Sequence, residues 1–179
     1  MTESSDAQLV RRFQNGDMQA FESLVQRFQD RVYRIALVWL VDAQLAPDAT
    51  QEVFCRAFKG LRGFRFRASP FTWIYRATKN VCREFNRSKR PEPLLEEPLD
   101  GSLDAVEDIA RKQAAQQVRA LVAGLPRRQR EVVLLRVFEE LSVTATAQAM
   151  RCREGTVKAL LHKAMQHLRL DAASLELRQ

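Results

Sequence analysis

The feature that most constrains this fold is the segment 91–104, PEPLLEEPLDGSLD, which has three Pro and one Gly among acidic residues. Proline removes a backbone donor and so polar a segment buries little apolar surface, which is typical of a linker. The segment leaves two parts of the 179-residue chain, each the size of a small helical domain. We therefore predict domains over residues 1–90 and 111–179, joined by an acidic linker over residues 91–110.

The charged residues follow the same division. Residues 1–90 carry 16 Lys and Arg against 9 Asp and Glu, and residues 91–110 carry 7 acidic and no basic residues. Residues 111–179 carry 13 basic against 6 acidic residues, so the net charge runs +7, −7 and +7 along the chain. Two basic modules favour a nucleic-acid partner, because cationic surfaces attract the phosphate backbone.

The composition argues against several other classes of protein. The longest apolar run, Ile35 to Val41, is too short to span a membrane, and the N-terminus, MTESSDAQLVRR, lacks the apolar core of a signal peptide. Cys55, Cys82 and Cys152 never form a C-x-x-C pair, which suits small buried apolar side chains in a reducing cytoplasm. There is no Gly-rich phosphate loop and no convergent pair of histidines, so we expect no metal, cofactor or small-molecule substrate.

Apolar residues recur at helical spacing in both predicted domains. In residues 21–39 they occupy every third or fourth position for five turns. Asp6 is the predicted cap of a short helix before it, which Asn15-Gly16-Asp17 ends. No strand pattern of useful length occurs, so the predicted fold is all-α. Further helices are predicted over 46–61, 70–89, 104–122, 126–138, 142–150 and 154–170.

The helix that begins at Pro70 has an apolar face and a basic face. At 100° per residue, the apolar face holds Ile74, Ala77, Val81 and Phe85. The opposite face holds Arg76, Lys79, Asn80, Arg83, Arg87 and Arg90. Such a stripe can follow a phosphate backbone. The alternative is an ordinary solvated face, but such faces usually mix charges, and Glu84 is the single acid of this helix.

An aromatic and basic segment precedes this helix. Phe64 and Phe66 alternate with Arg65 and Arg67 in a predicted loop. Aromatic rings beside cations suit unstacked bases, because the rings stack on the bases and the cations meet the phosphates. For Trp73, which follows, a position in the core explains the residue better than contact with a base.

The last two predicted helices have the pattern of a helix-turn-helix. One face of the last helix is apolar and holds Val157, Leu160, Leu161, Ala164 and Leu168. The other face carries small, basic and amide side chains, and such a face can enter a major groove. An ordinary surface helix of a three-helix bundle has the same pattern, so the alternative stays open.

Three motifs, in this order, resemble the extracytoplasmic-function sigma factors, the small two-domain class of bacterial RNA polymerase sigma subunits. They are D-x-x-Q-E-x-F in DATQEVF, T-W-I-Y-R-x-x-x-N in TWIYRATKN, and G-T-V-K at the start of the last helix. The resemblance implies a fold of two helical domains and a protein that is not an enzyme. It also implies that residues 1–90 bind and melt the −10 promoter element, and that residues 111–179 bind the −35 element as duplex.

The resemblance further implies particular roles. The β′ coiled coil of core RNA polymerase would bind Asp48, Gln51 and Glu52. The β subunit of the polymerase would also contact the factor. The loop with Phe64, Arg65, Phe66 and Arg67, together with Asn80, would hold a flipped −10 base. Phosphates near it would be bound by Arg76, Lys79, Arg83 and Arg87. The residues that would read the −35 element are Thr156, Lys158, Ala159, His162 and Lys163.

The sequence departs from the common pattern of that family at a few positions. Lys158 and Ala159 stand where Arg and Ser are frequent, so the −35 sequence of other members does not transfer to this chain. Ala145 replaces the Glu that would complete a capping box with Ser142, and Thr146 replaces an aliphatic residue. These changes affect local stability and leave the resemblance intact.

The family also implies a cytoplasmic protein that an anti-sigma factor controls, in some cases from the inner membrane. Two other functions remain alternatives. A stand-alone helix-turn-helix regulator would bind promoter DNA tightly without polymerase. A nuclease would need a convergent carboxylate or histidine cluster, which the sequence does not suggest. The acidic linker is a candidate either for a path along the polymerase or for a cover over the DNA-binding faces.

Overall fold

The computed structural model describes residues 5–88, 118 and 120–176. The predicted linker, Arg90 and most of the helix predicted over 104–122 therefore lie outside the described residues. Every regular element within those ranges is helical, so the all-α prediction is confirmed for this part of the chain. None of the helices described there is long and apolar enough to cross a membrane.

Four α-helices form the first half of the molecule. They are α1 (Asp6–Gln14), α2 (Met18–Trp39), α3 (Ala46–Gly60) and α4 (Pro70–Ser88), with 3-10 turns at Ala43–Leu45 and Leu61–Gly63. Helix α2 lies at the centre and packs against the other three. Its predicted apolar face is buried at Leu24, Phe28, Val32, Ile35 and Ala36.

The first helix begins one residue earlier than predicted. Ser5 caps it, because its hydroxyl accepts from the amide of Gln8 while the Gln8 side chain accepts from the amide of Ser5 at 2.7 Å. Asp6 is the first helical residue, and its carboxylate accepts a hydrogen bond from Arg27 at 2.8 Å. The helix ends before Gly16, whose φ of 96° is a left-handed conformation that glycine adopts without steric cost.

The end of α3 depends on a glycine for a different reason. A Cβ added at Gly60 would lie 2.4 Å from Cζ2 of Trp73, so α3 and α4 can approach this closely only without a side chain there. Trp73 is half-buried and packs against the core, in agreement with the predicted core position. This contact therefore holds the start of α4 against the end of α3, on either side of the loop that joins them.

The second half contains shorter helices and one long one. Residues 120–124 are helical, α5 (Arg127–Val133) continues into a π-helical turn at Leu134–Phe138, and α6 (Val143–Met150) and α7 (Glu154–Glu176) follow. The last helix is therefore longer than the predicted 154–170. Helix α7 packs against α5 and α6, and α6 also packs against α4 of the first half.

The start of α6 agrees with the prediction. The amide of Ala145 donates to the hydroxyl of Ser142 at 3.0 Å, so Ser142 caps the helix without a reciprocal partner. Thr146 is fully buried, and its hydroxyl donates to the carbonyl of Ser142 at 2.8 Å. This internal bond satisfies the polar group where an aliphatic residue would otherwise pack.

The three cysteines have different environments. Cys82 is buried, and burial raises the pKa of its thiol to about 12. Cys152 is half-buried, and Cys55 is exposed on α3. The prediction of three small buried apolar side chains is therefore right for Cys82 and wrong for Cys55, because Cys55 lies on the solvent side of a helix whose buried face is at Ala49, Val53 and Ala57.

Candidate nucleic-acid interface

The loop between α3 and α4 contains the two aromatic residues predicted to meet unstacked bases. Phe64 and Phe66 are half-buried, and their rings meet edge to face with centroids 4.9 Å apart. Phe66 has a φ of 54°, which an aromatic residue rarely adopts, so the surrounding structure must hold it there. Arg65 and Arg67 are exposed. The loop therefore alternates packed rings with cations that face solvent.

Gln14 at the end of α1 holds this loop in place. Its Nε2 donates to the carbonyls of Leu61 and Phe64, each at 2.9 Å. One turn earlier, the guanidinium of Arg11 lies over the ring of Phe66 at 5.1 Å. The sequence analysis did not identify either residue, because a glutamine and an arginine at a helix end carry no signal of a contact about 50 residues away.

Helix α4 has the two faces that its sequence predicted. Ile74 and Val81 are buried, and Ala77 and Phe85 are half-buried against the core. Ser69 caps the helix, since its hydroxyl accepts from the amide of Thr72 at 3.1 Å. The apolar prediction is thus confirmed, and the cap sets the direction in which α4 leaves the aromatic loop.

The basic face of α4 is exposed only in part. Asn80, Arg83 and Arg87 face solvent. Among the described residues, the Asn80 side chain makes no hydrogen bond to the loop, so the pocket inferred for a flipped base is not closed from this side. Arg76 and Lys79 are half-buried, because the second half of the molecule covers them.

The cover consists of polar groups from α5 and α6. The ammonium of Lys79 donates to Oε1 of Glu131 at 2.6 Å, and its side chain is only 17% exposed. The guanidinium of Arg76 donates to the carbonyls of Gln148 and Ala149, at the end of α6. Loss of water lowers the pKa of Arg76, and the charge of Arg151 lowers it further.

The predicted polymerase-binding residues lie along α3. Asp48 in its first turn and Gln51 are exposed. Glu52 is half-buried and accepts a hydrogen bond from Nε of Arg56 at 2.6 Å. The structure therefore leaves two members of the set fully open to a partner and joins the third to a neighbour on its own helix.

Arg56 links this set to α4. Both terminal nitrogens of its guanidinium donate hydrogen bonds to the carboxylate of Glu84, at 3.0 and 2.7 Å, in addition to its bond with Glu52. These hydrogen bonds raise the pKa of Arg56, while the bond from Arg56 lowers the pKa of Glu84. Glu84, the single acid of the basic helix, thus has a structural explanation in the bridge between α3 and α4.

Helix α7 has the composition and exposure of a recognition helix. All of its predicted −35 residues are exposed: Thr156, Lys158, Ala159, His162 and Lys163. On the opposite face, Val157 and Ala164 are buried and Leu161 is half-buried. The predicted division of this helix is confirmed, and its outer face is open along the first three turns.

A tight turn sets the angle between α6 and α7. Arg151 closes α6 in a left-handed conformation with a φ of 52°, and the amide of Cys152 donates to the carbonyl of Ala147 at 3.0 Å. The hydroxyl of Thr144 donates to the carboxylate of Glu154 at 2.6 Å, which joins the start of one helix to the start of the next. This is the helix-turn-helix arrangement predicted for the pair.

Comparison with known proteins agrees with this geometry. The family profile described as Sigma-70 region 2 matches residues 24–92, and that described as Sigma-70, region 4 matches residues 115–168. The chain is 32% identical to the RNA polymerase sigma-H factor of Pseudomonas aeruginosa, with 92% of each chain covered. It is 30% identical to the ECF RNA polymerase sigma-E factor of Haemophilus influenzae, with 89% of this chain and 91% of that protein covered. The chain belongs to the extracytoplasmic-function sigma factors.

Solved structures match the sigma factor in fold. CnrH, in its complex with the cytosolic domain of CnrY, superimposes with a TM-score of 0.75 at 20% identity, covering 98% of this chain and all of that one. The sigma factor RpoE of Bartonella quintana, in complex with the anti-sigma factor NepR, gives a TM-score of 0.64 at 18% identity, covering 85% of this chain and 96% of that one. The family consists of transcription initiation factors.

The structure brings together some of the predicted site residues and separates others. The exposed end of α4, the aromatic loop and the outer face of α7 are available to a nucleic acid. Arg76 and Lys79 are engaged by the second half instead. Sequence reasoning also missed Glu131 and Glu139, two buried carboxylates of the second half. The sequence carries no signal for either burial, because Glu131 follows Arg130 and Glu139 lies between the exposed residues Phe138 and Glu140.

Proposed function

We propose that this sigma factor binds core RNA polymerase and directs initiation at promoters with two elements. The first half, over residues 1–90, melts and reads the −10 element through the aromatic loop and α4. The second half, over residues 111–179, reads the −35 element as duplex through α7. The acidic linker over 91–110 joins them. Because initiation proceeds by binding and strand separation, the sigma factor itself needs no catalytic residue or metal for this role.

The observation that carries this proposal is that the matches extend across both halves of the chain. A stand-alone helix-turn-helix regulator would account for α6 and α7 alone. It would not account for α1 to α4, for the Sigma-70 region 2 match, or for relatives that match over about nine-tenths of their length. The exposed outer face of α7 supports duplex reading, because major-groove recognition requires side chains free to reach base edges.

The proposed contacts with the polymerase are on α3. Asp48 and Gln51 are exposed, and Glu52 keeps part of its carboxylate open beside Arg56. An acidic and amide patch on a basic half suits a basic partner surface such as that proposed on β′, with further contacts to β. The same faces are available to a regulator, and RpoE of Bartonella quintana was solved with an anti-sigma factor.

We extend that likeness to this sigma factor and propose that an anti-sigma factor controls it. A membrane-anchored partner would hold it at the cytoplasmic side of the inner membrane. A pull-down with the tagged full chain from cells before and after stress would test this. A partner that is present before stress and lost afterwards is the expected result, and an identical set of partners in both states would contradict it.

The central experiment is transcription in vitro with purified core polymerase, the full chain and genomic fragments, with start sites mapped. We expect new start sites that share two conserved elements upstream. No start sites above those of core alone would overturn the proposal. Tight, sequence-specific binding of duplex by the chain without polymerase would favour the regulator, and metal-dependent cleavage of plasmid DNA would favour a nuclease.

A further inference from the structure

The basic surface around the aromatic loop extends onto α1, at a residue that the sequence patterns do not single out. The guanidinium of Arg11 lies over the ring of Phe66, with its carbon 5.1 Å from the ring centroid. Arg11 is exposed, and among the described residues its guanidinium makes no hydrogen bond or ion pair. A guanidinium carries several N–H donors in a fixed plane. The ring therefore fixes the position of this group, while its donors remain available to a ligand.

The ordinary explanation for a basic residue at this place is the dipole of α1. Arg11 and Arg12 both lie in the last turn of the helix, where cations are favourable. That explanation suffices for Arg12, which also pairs at 2.7 Å with Asp17, the residue that caps α2. It does not explain why Arg11 lies on an aromatic ring of another element. The two neighbouring arginines thus differ in their surroundings, and Arg11 requires a further reason.

A second explanation is that Arg11 supports the loop. Phe66 has a left-handed backbone conformation, with a φ of 54°, and must be held in it. Gln14 already holds the loop, because its side chain donates to the carbonyls of Leu61 and Phe64. An exposed contact between a cation and a ring is weak, and an apolar side chain at position 11 would cover the ring as well. Support alone therefore does not account for a positive charge here.

The cations around the loop have no acidic counterparts. Arg65 and Arg67 are exposed, as Arg11 is, and within the described ranges none of the three pairs with a carboxylate. By contrast, Arg12 and Arg56 of the same half each form such a pair. Neighbouring cations without acids create a positive potential that attracts an anion. This surface therefore suits a ligand with repeated negative charges.

The spacing between Arg11 and Phe66 selects the kind of group that can bind. A base inserted between them would need about 3.5 Å on each side, or about 7 Å in all. The observed 5.1 Å is too short for this, so Arg11 closes that face of the ring to stacking. A phosphate binds instead at the edge of a guanidinium, through its N–H donors, and does not displace it from the ring. Arg11 is thus arranged for the backbone of a nucleic acid.

We propose that Arg11 binds a phosphate of the melted −10 strand, next to the nucleotide whose base enters the aromatic loop. The proposal rests on the function proposed above, since that function brings single-stranded DNA to this loop. The −10 site then extends from α4 and the loop onto α1, and cations from all three hold the strand while a base is unstacked. The contact carries no sequence information, because every nucleotide has the same phosphate.

The test measures binding of the holoenzyme, assembled from core polymerase and the full chain, to a labelled single-stranded oligonucleotide from the −10 element of a mapped promoter. One phosphate contact to a single strand contributes about 0.7 to the slope of log affinity against log salt concentration. We expect Arg11→Gln to reduce the slope by about 0.7, which lowers the affinity about fourfold at about 0.15 M salt and leaves it unchanged near 1 M. The loss should be the same with and without the preferred −10 base.

Matched variants separate a phosphate contact from its alternatives. Arg34→Gln removes the same charge from an exposed position on α2, and it should leave the slope and the affinity unchanged. Gln14→Ala loosens the same loop without removing a charge, so the slope should again be unchanged. Arg11→Lys keeps the charge and should keep most of the slope. Thermal melts of the free chains show that each variant still folds.

A neutral methylphosphonate, placed at each phosphate of the oligonucleotide in turn, locates the contact. Wild type should lose about fourfold in affinity at one position beside the flipped base, as expected for one phosphate contact at about 0.15 M salt. Arg11→Gln should lose nothing further at that position, because the partner of the phosphate is already absent. Equal losses by both proteins at every position would overturn the contact.

The outcomes keep this proposal apart from the function on which it rests. If the wild-type holoenzyme binds the oligonucleotide more tightly than core, and Arg11→Gln keeps the full slope, the −10 function stands and the contact is overturned. Weaker binding with an unchanged slope and a reduced preference for the −10 base would make Arg11 a support of the loop, and would also overturn the contact. Wild-type holoenzyme that binds no better than core would reject the −10 function and this proposal together.

Discussion

Helices α4 and α7 each present a face with basic side chains, and the two faces lie in very different surroundings. On α7, every residue proposed to read the −35 element is exposed. On α4, two of the proposed phosphate ligands, Arg76 and Lys79, are covered by the second half, while Arg83 and Arg87 nearer its end face solvent. Both faces carry basic side chains, mostly Arg on α4 and two Lys on α7, but their neighbours differ. Composition thus suggests the kind of ligand, and packing determines which of the cations are exposed.

The difference also separates two kinds of recognition. A recognition helix for duplex needs no rearrangement, so it can remain open in the free protein. Under the proposed function, the aromatic loop and α4 would instead meet melted DNA, which forms only after strand separation. The four changes below test whether the two faces are independent, in order of expected effect.

The largest effect is expected for Lys163→Glu on the open face. Reversal of this charge should weaken binding of the holoenzyme to a −35 duplex by about 10- to 100-fold, since a side chain that contacts a base or phosphate contributes about 1–3 kcal/mol. Compactness of the free chain should not change. Arg34→Glu on α2 is the control, because this exposed residue undergoes the same charge reversal outside α7. An equal loss with both variants would show that α7 acts through net charge alone.

Asn80→Ala tests the exposed part of the other face. We expect promoter opening to slow by about tenfold, equivalent to about 1.4 kcal/mol, while affinity for core polymerase stays the same. Opening would be followed by permanganate reactivity of unpaired thymines, and polymerase binding by a fluorescence assay. Ser88→Ala at the end of α4 is the control. Equal loss of opening and of polymerase binding would contradict the assignment of Asn80 to the −10 pocket.

Gln14→Ala tests whether the aromatic loop must be held in place. The substitution removes two hydrogen bonds to the carbonyls of Leu61 and Phe64, which contribute about 1 kcal/mol each. We expect opening of a duplex promoter to slow about fivefold. A template that is already unpaired at −10 should restore the rate, which simple destabilisation of the fold would not allow. Gln26→Ala, on an exposed part of α2, should leave both rates unchanged.

Glu84→Gln should have the smallest effect. The bridge from Glu84 through Arg56 to Glu52 is largely exposed, and such pairs contribute between zero and about 1 kcal/mol. We expect a fall in melting temperature of less than about 3 °C, with no change in compactness or DNA binding. A larger fall, or an expanded chain, would show that this exposed bridge matters as much as the buried pairs between the halves.

The same substitution has a defined pH dependence. The bond from Arg56 lowers the pKa of Glu84 from its ordinary value of 4.5, so the folded chain holds this carboxylate ionised to lower pH than the unfolded chain. The contribution of the bridge is therefore present above pH 4.5 and disappears as the pH falls through the lowered pKa. The stability difference between wild type and Glu84→Gln should vanish in acid, as melts at neutral and acidic pH would measure.

Much of the fold was predictable because a helix forms through contacts between residues that are close in sequence. The spacing of apolar residues gave α2 to within three residues and α4 to within one, and Ser142 was correctly assigned as a cap. The errors were also local in origin. Ser5 precedes Asp6 and both are good caps, so composition alone could not choose between them. The predicted end of α7, at Leu170, was too early. Neither Gly nor Pro occurs between Leu170 and Glu176, so no residue there marks where the helix ends.

The sequence by itself determined the helical class, the two faces of α4 and α7, and the likeness to the sigma factors. These properties depend on residue order over a few turns or on motifs in a fixed sequence. It did not determine which cations are free. Lys79 and Arg83 are equivalent in the pattern of α4, yet within the described part of the chain only Lys79 meets a carboxylate, one that lies 52 residues away. Only tertiary packing decides such a pairing, because it depends on how two separately formed halves fit together.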